Sequence, residues 1–328
     1  MKAVARIVIL SGAALGGFSI VGASTAEAST KPWLQFPGAT PPVEFSFGAG
    51  YGTRTGDLRW NIAGGDSGPN ILSELTYKGL QFTEYRTNAS LKFNSGVLKN
   101  WRIDTNFSAG QADQGKAYDS DFDEDNRQGE YSRSVSSLAG SEATNFDASL
   151  GYSFHPSESL TLTPQVGFVY NTQFLKMTEG EQLLYTRSGG VRLGDFANEL
   201  NSHYSTKWTG GFVGMLAGYE GQHQSISIGY KLHVAGYEAE ANWNLREDFQ
   251  HPRSFSQTAV ALGNVVELNY QWHVTNNWSL KARAFNESWT TQAGNDTVYL
   301  SNGTTAGSRL NEVTWDSTGY DLGMQYLF

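Results

Sequence analysis

The chain has 328 residues, no cysteine and a net charge of −9. The lack of cysteine excludes a disulfide framework and thiol chemistry, and the acidic balance argues against nucleic acid as a partner. Aromatics make up 13% of the chain beside only 39% hydrophobics, a ratio that suits a wall with one apolar face and a polar interior better than a soluble core.

Taken from the start, Lys2 and Arg6 lead a mostly apolar run from Ile7 to Ala23, and Ala26-Glu27-Ala28 offers a small-x-small cleavage site. That is the pattern of a secretory signal peptide over 1–28, with Ser29 as the mature start. A periplasmic lead-in over 29–42 follows, with four prolines between Lys31 and Pro42, and the remainder, 43–328, is expected to be one barrel. Past the signal no window approaches the roughly 18 apolar residues of a spanning helix.

Ten runs instead alternate with a period of two, the signature of strands with one apolar face. They lie near 43–54, 71–94, 100–112, 142–154, 159–175, 206–221, 223–242, 258–274, 277–292 and 311–328. In the fourth, Phe146, Ala148, Leu150, Tyr152 and Phe154 share one face and Asn145, Asp147, Ser149 and Ser153 the other. The last ends Tyr320, Leu322, Met324, Tyr326, Phe328 at every second position. Connectors near 95, 156, 222 and 276 are short, whereas 55–70, 113–141, 176–205, 243–257 and 293–310 are long and polar. Such alternation distinguishes the periplasmic turns of an outer-membrane barrel from its external loops. The expected fold is therefore all-β, a ten-stranded antiparallel transmembrane β-barrel in the cell outer membrane. Its lumen would carry Arg102, Asp104, Asp147, Lys231, His233, Glu267, Lys281 and Arg283, pairing with one another to fill a narrow tube.

The densest charge lies in the second long connector, where seven acids face two bases between Asp113 and Glu130. One reading is a solvated loop. Another is a calcium loop, since Asp119, Asp121, Asp123 and Glu130 take relative positions 1, 3, 5 and 12, but Glu124 stands where such a loop needs glycine. A third joins the acids to His251, in the fourth long connector at the same rim. A histidine oriented by an acid, facing two close carboxylates, is a device for activating water; a bystander histidine is the alternative. No residue pattern calls for a cofactor.

The chain resembles the omptins, ten-stranded outer-membrane endopeptidases. The likeness rests on the strand and loop order, Gly64-Gly65 before Ser73-Glu-Leu-Thr-Tyr77, the Asn145-Phe-Asp147 start of the fourth strand, the terminal Phe328, the acid-x-acid Asp119-Ser-Asp121 and His251. It implies a site of Asp119, Asp121, Asp248 and His251, with Asp57 and Glu247 near positions that select basic substrate residues. The pattern departs at one place. Omptins carry the orienting acid two residues before the histidine, where this chain has Phe249, and Asp248 stands three before it. The stretch from Arg246 to Pro252 is also similar to the Protochlamydia-type outer-membrane proteins, which share this barrel. Two functions follow as expectations: a surface endopeptidase, or a non-catalytic barrel acting as a porin or adhesin. The expected partners are membrane lipid, lipopolysaccharide at the outer rim and a peptide substrate.

Overall fold

Backbone that crosses lipid must satisfy all its hydrogen bonds, so strands can do so only as a closed ring. The computed structural model, which describes residues 41–328 apart from 66, 189, 190 and 197, closes in that way. The expected signal peptide and residues 29–40 of the lead-in lie outside the described residues. The strands are β1 (Val43–Ile62), β2 (Ser73–Phe93), β3 (Trp101–Glu124), β4 (Gln128–Ser137), β5 (Glu142–Tyr152), β6 (Leu160–Tyr185), β7 (Gly194–Asp195), β8 (Ser202–Glu220), β9 (Gln224–Asn242), β10 (Phe255–His273), β11 (Trp278–Thr291), β12 (Gly294–Tyr299) and β13 (Thr305–Leu327). β4 with β5, and β11 with β12, are staves broken by a kink, and β7 clips onto β6. The ring therefore has ten antiparallel staves. β1 pairs with β2 on one side and with β13 on the other, from Ser46 opposite Leu327 to Ile62 opposite Leu310.

The ten staves sit where the alternating runs predict, but several are longer. β1, β3 and β6 run on to Ile62, Glu124 and Tyr185, so the expected loops 55–70, 113–141 and 176–205 are largely strand. The reason is a change of solvent. Where the wall crosses lipid its outer face must be apolar, as with the exposed Ile226, Ile228, Tyr230, Leu232 and Val234 of β9. Beyond the lipid the outer face meets water and the requirement lapses. There the buried face is the inner one, carrying Leu58, Trp60, Leu75, Tyr77, Tyr204 and Tyr237. A bulge in β2 between Lys78 and Gln81, with Gly79 at φ 63°, helps switch the facing. Its backbone is held by Asp57, whose Oδ1 accepts the Gly79 N–H at 2.7 Å.

Three layers fill the lumen. Nearest the short turns is a polar cavity of about 420 Å³ lined by Arg86, Arg102, Asp104, Glu267, Lys281, Arg283 and others. Most of the charges expected there pair, Arg102 with Asp104, Lys231 with Asp147 at 3.1 Å, and Arg283 with Glu267 and Asp321, whereas among the described residues Lys281 and His233 form no ion pair. Above it Arg54, nearly inaccessible, bridges Glu84 and Glu287 at 3.1 Å each. Higher still, an aromatic column fills the barrel. It runs from His233 through Trp289, Trp208 and Tyr237, crosses by the Tyr237–Tyr204 hydroxyl contact of 2.5 Å, and continues through Trp60 and Phe255 to Trp243. Ring centroids along each part lie 4.5–5.6 Å apart.

Candidate functional site

Above the aromatic column the long hairpins form a mouth. Asp119 and Asp121 lie two apart on β3 and so share a face, the one that also carries buried Ala117. Across the ladders they face Leu75 and Ser73 of β2, and Ser134 and Ser132 of β4. Loss of water around Asp119, then the charge of Asp121, pushes its carboxyl well above the usual carboxylate range, while Arg246 and hydrogen bonding to Trp243 and Ser73 pull the other way. Asp121 is raised chiefly by burial, against Ser73, Arg246 and Arg187. Two carboxylates so placed can share one proton. The acidic hairpin and the turn bearing Arg246 thus lie at the same end, as the sequence predicts.

The rest of the expected constellation is arranged differently. Asp248 accepts two hydrogen bonds from Arg246, at 2.9 and 2.8 Å, and this holds its carboxyl below the usual range. The Arg246 guanidinium also stacks on Phe249 at 4.2 Å. His251 takes its partner elsewhere: its Nδ1 lies 2.7 Å from Oδ1 of Asn242, the last residue of β9. Asp248 therefore does not orient the imidazole. Nor is the turn free to slip by one residue. Gln250 N–H bonds Tyr299 O at 2.8 Å, Ser301 N–H bonds Asp248 O at 3.0 Å, and Phe249 bridges to Leu300. The turn thus gives the Phe249 ring to Arg246 and leaves His251 with an amide.

Two further candidates can be placed. Asp57 points out of the wall and holds the β2 bulge, because inward facing in β1 falls to Gly56, Leu58 and Trp60. Glu247 is exposed on the turn between Arg246 and Asp248. The calcium spacing also dissolves: β3 is extended, Asp123 pairs with Arg187 and Glu130 with Arg133. Trp243, Asn242 and Arg246 escaped sequence reasoning. Only Arg246 left a trace, as a basic residue two before an acid.

The pattern of the Protochlamydia outer membrane protein family matches residues 46–328. The chain belongs to that family. It is an outer-membrane protein, and its mouth, with the long hairpins, is the external end. No curated protein matches it in sequence. Among solved structures it is similar to the outer membrane protease OmpT from Escherichia coli, at 15% identity and a TM-score of 0.71, covering 90% of this chain and 100% of that one. The translocator domain of the autotransporter NalP from Neisseria meningitidis is more distant, at 11% identity and a TM-score of 0.34 over 89% and 90% of the two chains. The first likeness establishes an OmpT-like barrel and nothing of the chemistry at its mouth.

Proposed function

We propose that this member of the family is a sealed surface barrel that binds at its mouth, as an adhesin would, rather than a channel or an omptin-type hydrolase. The observation that carries this reading is the engagement of Asp248 by Arg246, which leaves His251 with an amide partner. An amide can fix an imidazole's tautomer but supplies no negative charge to stabilise the imidazolium formed when it takes a proton. The aromatic column argues against a pore. The carboxylate pair beside Trp243 suits a basic ligand such as an Arg- or Lys-rich peptide, which would compete with Arg246 for Asp119 and Asp121.

The test is to incubate refolded protein with fluorogenic peptides bearing Arg-Arg and Lys-Arg pairs, following cleavage and anisotropy together. Binding without cleavage is expected, weakened in Asp119→Asn and unchanged in Asp125→Asn. A second reading, peptide hydrolysis, is favoured by the raised Asp119, because a carboxylate pair that retains a proton is the state general acid–base chemistry needs. Cleavage by wild type that falls by roughly 10² to 10⁴ in His251→Ala would establish that reading instead.

A further inference from the structure

A row of four facing positions crosses the lower wall, far from the mouth. Arg86 of β2 stands opposite Gly50 of β1, Gly50 opposite Gly323 of β13, and Gly323 opposite Lys281 of β11. Residues directly opposed in a sheet lie on the same face, so all four look into the lumen, and all four line the 420 Å³ cavity. The strands coil too tightly there for side chains. A Cβ at Gly50 would meet Leu322 O at 2.9 Å, and one at Gly323 would meet Ala49 O at 2.5 Å. Between the two cations the wall is therefore bare peptide.

The acids nearby are already engaged. Asp104 takes both hydrogen bonds from Arg102, Arg283 holds Asp321 at 3.3 Å and Glu267 at 3.5 Å, and Lys231 holds Asp147. Arg86 is left with Asn106 Oδ1 at 3.0 Å and Lys281 with Asn88 Oδ1 at 3.5 Å. Among the described residues neither forms an ion pair. Two cations confined in a low-dielectric tube without their own carboxylates are an incomplete arrangement.

We infer that this cavity is a binding site for a small phosphate-type oxyanion, held between Arg86 and Lys281 over the Gly50–Gly323 floor. The guanidinium fork matches two oxygens of such a group and the ammonium a third. The aromatic column closes the cavity above, and its lining includes the short-turn residues His155, Asn276 and Asn277, so the ligand enters from the periplasm. The volume leaves room for an organic portion beside the phosphate.

The test is titration of the refolded barrel with inorganic phosphate, followed by calorimetry at fixed ionic strength, with the gel shift of the unheated barrel as the check on folding. Lys281→Gln and Arg86→Gln should each weaken binding by about ten- to a hundredfold, the worth of a hydrogen bond to a charged group. Lys207→Gln, at an exposed position on the outer wall, should leave it unchanged. Asn88→Asp places a carboxylate beside Lys281; it should abolish phosphate binding while raising the unfolding midpoint, opposite signs that a purely structural role for Lys281 would not produce. Failure of the folded wild type to bind phosphate at millimolar concentration overturns the proposal, as does equal binding by wild type, Lys281→Gln and Asn88→Asp.

Discussion

Where the barrel crosses lipid, its wall turns Ile228, Leu232, Val266 and Leu322 outward and keeps Arg54, Glu84, Lys231 and Glu287 inside. Above the lipid the same wall turns Trp60, Tyr77, Tyr204 and Trp315 inward and leaves Tyr118 and Lys207 outside. One alternation thus serves two opposite purposes. The half in lipid is held by its paired backbone and interior ion pairs, whereas the half in water has a conventional hydrophobic core that happens to be cylindrical. Because the two halves share continuous strands, a change in one should be felt by a different physical route from the same change in the other.

The largest effects should come from the interiors. Arg54→Met leaves Glu84 and Glu287 buried without their shared cation and should cost about 3–5 kcal/mol, whereas Trp289→Ala in the upper column should cost a similar 3–5 kcal/mol or so through a cavity. Acid tells the two apart, since carboxylates buried without their cation are relieved by taking up protons and only the first loss should shrink as pH falls; urea titrations of the refolded barrel in lipid at two pH values would show it. Next in size is a charge placed on the outer wall. Val266→Arg faces hydrocarbon and should cost about 2–4 kcal/mol, while Tyr118→Arg faces water and should stay within about 0.5 kcal/mol. Equal costs in those titrations would refute the division into two halves.

A smaller, pH-dependent effect belongs to Asp296 in the upper half. Its carboxyl is nearly inaccessible, accepts hydrogen bonds from Gln257 and Ser308, and is raised by burial above its ordinary 3.8. The native state therefore holds this proton more tightly than the unfolded chain does. The stability it contributes is fully present below the ordinary value and lost as pH rises through the elevated one. Asp296→Asn should flatten that decline, read as unfolding free energy at a series of values between about pH 4 and pH 7. Smallest of all is Glu130→Gln, which removes a partly exposed pair with Arg133 at the hairpin tip and should cost under about 1 kcal/mol in the same assay.

The lipid-facing half was legible in the sequence because lipid imposes a one-sided pattern, plain in Phe146 to Phe154 and in Tyr320 to Phe328. The upper half was not. In Lys116-Ala-Tyr-Asp119-Ser-Asp121 both faces are mixed, so strand reads as loop until the buried face is known. At the mouth, the acid pair and His251 could be found as residue types. Their partners could not: Asn242 reaches His251 across a turn of eight residues, and Arg54 and Glu84, from the neighbouring staves β1 and β2, meet Glu287 from β11, more than 200 residues on in the chain. Spacing reveals neighbours along a strand and is silent about neighbours around a ring.

The pairing of β1 with β13 has a kinetic meaning. Ser46 and Leu327 are partners at opposite ends of the described chain, so the ring acquires its last seam only when the final stave arrives. Loop-closure entropy grows only logarithmically with length, but contacts of such long range form late. Until then the growing sheet presents two open margins of unsatisfied amides and carbonyls, each a template for another chain. The C-terminal strand thus sets the moment at which a nascent molecule ceases to be an aggregation nucleus, and a chaperone that guards this protein during its passage to the membrane has those two margins to cover.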